Sequence, residues 1–219
     1  IDSQDEDIGS REVIRNAREL VWYPSEVDTS IRTGWFYHPE EDTDVRTADE
    51  LLDIYLDAVG ANASLLLNIP PDTHGRIAAP DCASLTELGT KIQQIFASNV
   101  TEKAKITADS AIAQHPITQA VDGMANTYWQ AAYGQESDMI TLKFPKPQKV
   151  SCVVLGEHLP TGQRIESGEI WADESKVAEF TVVGHKRICR FAPVDVQTLT
   201  IKITASRTEP TLRLLEVYQ

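Results

Sequence analysis

Apolar positions change their spacing part-way along this chain. From Ser10 to Val21 the residues Val13, Ile14, Ala17, Leu20 and Val21 recur at helical spacing and predict an amphipathic helix. A short strand is expected over Val27 to Ile31. Thr47 followed three residues later by Glu50 matches a capping box, so a second helix should begin there. Its apolar face is Leu51, Leu52, Tyr55 and Val59, and Gly60 is placed to end it in a left-handed conformation. Ser64 to Ile69 is apolar apart from Ser64 and Asn68, as suits a strand buried on both faces, and Pro70-Pro71 stops it. A third helix is predicted over Ala83 to Ala97, with Leu85, Leu88, Ile92, Ile95 and Phe96 facing inward.

From about Asn99 the spacing becomes period two. It runs through Met139 to Phe144, Val150 to Leu155 and Thr198 to Ile203. Val177 to Val183 and Arg187 to Phe191 are joined through Gly184-His185, which predicts a hairpin with a tight turn. Leu212 to Tyr218 supplies a closing strand. The expected fold is therefore α/β over residues 1–98, followed by an all-β antiparallel sandwich of jelly-roll type over 99–219. A complete parallel (β/α) barrel takes about 250 residues, so 98 could supply only its last two or three units.

Composition narrows the function classes. The formal net charge of −13 repels phosphate backbones and anionic lipids, which argues against nucleic-acid or membrane partners and leaves neutral substrates such as sugars open. No apolar run approaches the roughly 20 residues of a membrane helix. Cys82, Cys152 and Cys189 make no disulfide framework in a chain of this length; Cys152 and Cys189 could pair, but buried thiols are the expectation. The chain opens on Ile1-Asp2-Ser3 without a signal peptide and reads as a processed or excised piece, which leaves the address of its parent open.

The densest chemistry lies in Trp22-Tyr23-Pro24-Ser25-Glu26-Val27-Asp28-Thr29-Ser30-Ile31-Arg32-Thr33-Gly34-Trp35-Phe36-Tyr37-His38. Carboxylates, an arginine and tryptophans surround one predicted strand end, where parallel α/β folds carry their sites. A sugar site needs that mixture: aromatic faces cover C–H surfaces, while carboxylates and Arg bind hydroxyls. The competing expectation has Trp22, Trp35 and Phe36 in the core and the charges solvated.

This run, continued by Pro39-Glu40-Glu41-Asp42, resembles the α-L-fucosidase family of glycoside hydrolases (family 29). So do Glu50 to Tyr55, Val59-Gly60, Asn62, and Leu65-Leu66-Leu67-Asn68-Ile69-Pro70-Pro71-Asp72 with Gly75. The resemblance covers residues 1–98 and is closest to the branch acting on α-1,3 and α-1,4 fucosyl linkages; Thr33 stands where that branch has Pro. It implies a retaining mechanism with an Asp nucleophile and a separate acid/base, both upstream of Ile1, so no catalytic residue is named here. It also implies that Glu26, Asp28, Arg32 and Trp35 bind substrate, with Trp35 against the fucose ring or its methyl group. Arg32 and Asp28 could instead form a buried ion pair, Glu26 could be the acid/base, and Asn68 is expected to serve structural hydrogen bonding.

Residues 99–219 resemble the discoidin-like (factor V/VIII type C) modules that accompany glycosidases. The carriers are Ala120-Val121-Asp122-Gly123 with Thr127-Tyr128-Trp129, then Gly162-Gln163-Arg164-Ile165 and Leu215-Glu216-Val217-Tyr218; Met124 replaces a more usual Asn. The resemblance implies a structural Ca²⁺ held by oxygen donors from Asp122, Thr127, Glu216 and loop carbonyls, against an unmetallated turn closed by hydrogen bonds. Trp129 and Trp171 are expected in the core. The implied whole is an exo-α-L-fucosidase, needing no cofactor for catalysis, with a fucosylated oligosaccharide and the N-terminal part of the same enzyme as partners. Its implied address is periplasmic or extracellular. The alternative is a lectin-like carbohydrate-binding protein carrying a barrel remnant.

Overall fold

The computed structural model describes residues 11–15, 17–19 and 25–219. Their order is α1 (Arg11–Ile14), β1 (Glu26–Ser30), α2 (Ala48–Val59), β2 (Ser64–Asn68), α3 (Ala79–Ile95), β3 (Lys105–Ala108), β4 (Trp129–Gln130), β5 (Asp138–Gly156), β6 (Ile165–Ala172), β7 (Ser175–Phe180), β8 (Arg187–Ser206), β9 (Thr211–Leu212) and β10 (Leu214–Tyr218). The chain divides into two compact units. One is Trp22–Phe96; the other is Ala97–Gln219 together with the residues before position 22. The structure is mixed α/β and mostly sheet.

In the parallel unit, β1 and β2 run side by side in register from Glu26↔Ser64 to Ser30↔Asn68. One face of this pair packs on α2 and α3 around Ile31, Ala48, Leu51, Leu52 and Leu88. The other face is bare. Leu66 is 51% exposed there, so β2 is not buried on both faces as its apolar run predicts; two strands without a covering layer cannot bury both sides. The capping box forms as the sequence requires. Glu50 N–H donates to Thr47 Oγ1 at 3.3 Å, and Thr47 N–H donates to the Glu50 carboxylate at 2.8 Å. Gly60 keeps a right-handed φ of −78°, and the reversal falls instead on Asn62 at φ 74°. Asn tolerates that region better than most side chains. Helix α3 starts before the expected Ala83 because Pro80 fits its first turn without a lost hydrogen bond. The helix expected over Ser10 to Val21 amounts to Arg11–Ile14; Arg15, Ala17, Arg18 and Glu19 are not helical, and Ser10, Asn16, Leu20 and Val21 lie outside the described residues.

The antiparallel unit has its strands in the order β10-β5-β8-β6-β7, with β3 beside the first half of β5 and a small β4–β9 pair apart. Four of the expected segments turn out to be halves of two long strands. Met139 to Phe144 and Val150 to Leu155 both lie in β5; Arg187 to Phe191 and Thr198 to Ile203 both lie in β8. Register shifts at Lys143/Gln148 and Val150/Cys152 bend this long pair. The tight turn at Gly184-His185 forms, with Gly184 at φ 58°, but the strands it joins do not pair: β7 pairs with β6, which lies between β7 and β8. A single large core includes Trp129, Phe144, Leu155, Ile170, Ile201 and Leu215. Trp129 is fully buried, and its indole N–H donates to the Ser110 carbonyl. Trp171 is not in that core. It lies half-buried, donates to Glu169, and has Lys202 Nζ 3.8 Å from its ring centroid. Cys152 and Cys189 are buried free thiols, and burial pushes each thiol up to about 12. Among the described residues no helix is long and apolar enough to cross a membrane.

Candidate active site

The site builds from the carboxyl ends of β1 and β2. In parallel neighbours, residues in register share a face. Glu26, Asp28 and Ser30 therefore stand beside Ser64, Leu66 and Asn68 on the bare face. Glu26 and Asp28 are exposed, whereas Ser30 is buried. Glu26 opens β1, roughly 13 Å along the strand from Ser30 at about 3.3 Å per residue.

The segment that leaves β1 is pinned from several sides. Asn68 donates through Nδ2 to Ser30 Oγ at 3.1 Å and to the Trp35 carbonyl at 2.9 Å, the structural role expected of it. Arg46 donates through Nε to the Ser30 carbonyl, and Thr33 donates to Asp44. With its backbone tied down in this way, Trp35 keeps 48% of its surface exposed. Phe36 is more exposed still, at 74%. The competing expectation that both belong to the core therefore does not hold: they lie in the segment past the end of β1 and stay exposed. Trp22 lies outside the described residues.

Arg32 plays a different part from the one its sequence position suggests. It is 1% exposed, and its guanidinium meets Asp81 through Nε at 3.1 Å and through Nη2 at 2.9 Å. Nη2 also reaches Asp42 at 2.7 Å, and Nη1 donates to the His38 carbonyl at 3.2 Å. The Tyr37 ring covers the group, with the guanidinium carbon 4.8 Å from its centroid. Burial opposes the positive charge, but Asp81 and Asp42 outweigh it and raise the Arg32 pKa. Burial raises the Tyr37 phenol, and the Asp42 carboxylate pushes it the same way. A guanidinium so occupied shapes the loop. The buried ion pair does form, with Asp81 and Asp42; Asp28, the partner weighed from sequence, is exposed. Asp81 went unnoticed because it is 49 residues away, and its only local sign is an acid in the first turn of a helix.

The Asp122 turn closes on itself. Gly123 takes φ 73°, Met124 N–H donates to Asp122 at 2.9 Å, and the Thr127 hydroxyl donates to the same carboxylate at 2.8 Å. Glu216 accepts from the Tyr218 hydroxyl. Among the described residues no three His, Cys, Asp or Glu side chains converge as a metal would require. Asp122 and Glu216 are each engaged in hydrogen bonds of their own.

The comparisons with known proteins bear on both units. The family model described as Alpha-L-fucosidase matches residues 6–94. Alpha-L-fucosidase 1 of Arabidopsis thaliana is 32% identical over 209 residues, covering 90% of this chain and 41% of the plant protein. A Bacteroides thetaiotaomicron structure assigned as an alpha-L-fucosidase superposes with TM-score 0.84 at 31% identity, over 91% of this chain and 45% of that one. What the chain matches is part of an alpha-L-fucosidase. A third relative, a Ruminococcus gnavus GH29 fucosidase solved in complex with fucose, superposes with TM-score 0.82 at 28% identity, over 90% of this chain and 41% of its own. The chain spans about 40% of the length of the curated fucosidases it matches. Because these matches cover some nine-tenths of this chain, the antiparallel unit is part of the shared architecture as well. These relatives are glycoside hydrolases.

Proposed function

We propose that this chain is the carboxyl-terminal part of an exo-acting, retaining α-L-fucosidase that removes terminal α-1,3- or α-1,4-linked fucose. On this reading β1, α2, β2 and α3 are the last units of a (β/α) barrel, and the antiparallel unit is an accessory jelly-roll module of discoidin type. The observation that carries it is Trp35, half-exposed yet held by Asn68 at the carboxyl ends of two parallel strands, inside the segment matched by the fucosidase family. That is the end at which parallel barrels bind substrate.

The bare face bearing Glu26 and Asp28 then lines the barrel interior, where carboxylates accept hydrogen bonds from sugar hydroxyls. Trp35 covers an apolar sugar face or the fucose methyl group. The nucleophile and the acid/base, with their carboxyls about 5 Å apart for retention, come from the preceding part of the enzyme. Arg32, Asp42 and Asp81 hold the loop, and the fucosylated glycan is the partner.

The test uses the intact enzyme and a chromogenic aryl-fucoside. Trp35→Ala should lower kcat/KM by about thirtyfold, corresponding to roughly 2 kcal/mol of lost apolar cover, while leaving Tm unchanged. Glu26→Gln should also lower kcat/KM, since a neutral amide makes weaker hydrogen bonds than a carboxylate. Unchanged kcat/KM for both variants removes this loop and strand from the active site.

A further inference from the structure

In a chain of net charge −13, five of the nine lysines gather at one end of the antiparallel unit: Lys103, Lys105, Lys143, Lys146 and Lys149. All five are exposed. Lys105 and Lys143 are direct cross-strand partners of β3 and β5, a like-charge arrangement that weakens a sheet. Lys103, Lys105 and Lys143 line one hollow of about 570 Å³ with Ala104, Phe144 and Gln197. The acids nearby are Glu102 in the chain, Asp195, the register partner of Lys149, and Asp173, which accepts from the N–H groups of Gln197 and Thr198 beside Lys143. None of these five lysines is among the described ion pairs, so the nearby acids do not neutralise the group. Lys103 spends its ammonium on the Gln148 side-chain carbonyl at 3.3 Å.

Self-stability does not explain such a concentration. Like charges facing each other on a sheet, in a protein otherwise short of positive charge, repel one another until an anion arrives. The hollow is open to solvent, and it carries ammonium groups without guanidinium forks. Ammonium point charges suit anionic groups spaced along a polymer better than the bidentate grip that phosphate invites from Arg.

We infer that this lysine-lined hollow is a docking surface for an anionic polysaccharide, one carrying sulfate or carboxylate groups on its sugars. It would hold the enzyme on the polymer whose fucose it removes, and to that extent it rests on the fucosidase reading.

The experiment compares the intact enzyme with Lys103→Gln/Lys105→Gln/Lys143→Gln and with Gln114→Glu/Thr118→Glu/Ser175→Glu. Both variants lower the net charge by the same amount, and the latter changes exposed positions elsewhere on the unit. Binding is measured at low and moderate salt to dextran sulfate, polygalacturonate, neutral dextran and duplex DNA. Wild type should bind at least one acidic polymer in a salt-sensitive way and ignore neutral dextran. The lysine variant should bind that polymer at least tenfold more weakly, and the control variant should be nearly unaffected. Removing the Lys105–Lys143 repulsion should leave Tm unchanged or raised, which separates lost binding from lost folding. No binding by wild type, equal weakening in both variants, or DNA bound as tightly as the polysaccharides would each overturn the proposal. Turnover of a neutral aryl-fucoside, followed in all three proteins, reports the catalytic reading separately. Its absence alongside polysaccharide binding would sink that reading and leave the surface standing.

Discussion

The parallel unit is organised around a buried charge and the antiparallel unit around buried hydrocarbon. In the first, five buried apolar residues make a small cluster, and the buried Arg32 is wrapped by Asp81, Asp42 and the Tyr37 ring. In the second, a contiguous apolar core threads both long strands, and the buried carboxylate Glu157 is satisfied by three backbone N–H groups. An apolar core settles its own geometry by packing. A buried ion pair adds little net stability but is severe when half of it is removed, so it fixes one loop conformation sharply. The loop fixed in this way carries Trp35.

The largest expected effect tests that contrast directly. Asp81→Ala strips a fully buried carboxylate from a fully buried guanidinium and should destabilise the parallel unit by about 3–5 kcal/mol, read as loss of hydrogen-exchange protection in α3. The double variant Arg32→Met/Asp81→Leu should recover most of that loss while still disturbing the Trp35 loop. A mild effect of Asp81→Ala would mean that the parallel unit is apolar-driven after all.

In the antiparallel unit the sensitive point is packing. The Phe180 ring lies over Gly168, and a Cβ there would overlap it and come within 2.6 Å of the Lys202 carbonyl oxygen. Gly168→Ala should therefore cost about 2 kcal/mol in a urea titration, because the backbone oxygen cannot swing away. A neutral result would show that β6 and β7 can separate freely. Thr47→Ala, which removes the side-chain half of the α2 cap, should cost about 1 kcal/mol by the same titration.

The smallest effect is electrostatic. The Gly134 N–H and the Thr208 hydroxyl hold the Glu209 carboxyl at about 2, below its ordinary value. A depressed acid stabilises the fold above the unfolded pKa and loses that contribution as pH falls from about 4.3 toward 2. Glu209→Gln should flatten that part of the Tm–pH curve and change little at neutral pH. An identical acid slope in the variant would assign the dependence to other groups.

What could be read along the chain was local. The capping box at Thr47, the strand at β1, the change from helical to period-two spacing near residue 99, and the motif whose relatives are fucosidases all depend on residues a few positions apart. Asn68 was legible too, because a polar residue ending an apolar strand must find a partner. One misplaced feature depends on a distant strand. The Gly184-His185 turn has good hairpin chemistry, yet β6 intervenes between β7 and β8, and no turn residue can report a strand inserted from earlier in the chain. Trp171, expected in the core, instead alternates with Ile170 and Ala172 and shares the partly exposed face of Glu169, where Lys202 covers it.

The sequence by itself therefore determined the change from α/β to all-β, the family the chain resembles and the loop that carries the candidate site. Tertiary structure alone decided that Arg32 belongs to Asp81 and Asp42, that Trp35 stays exposed, and that five lysines converge. Periodicity and capping are short-range consequences of backbone geometry. Ion pairing, burial and charge clustering join residues tens of positions apart, and only a folded chain fixes those distances.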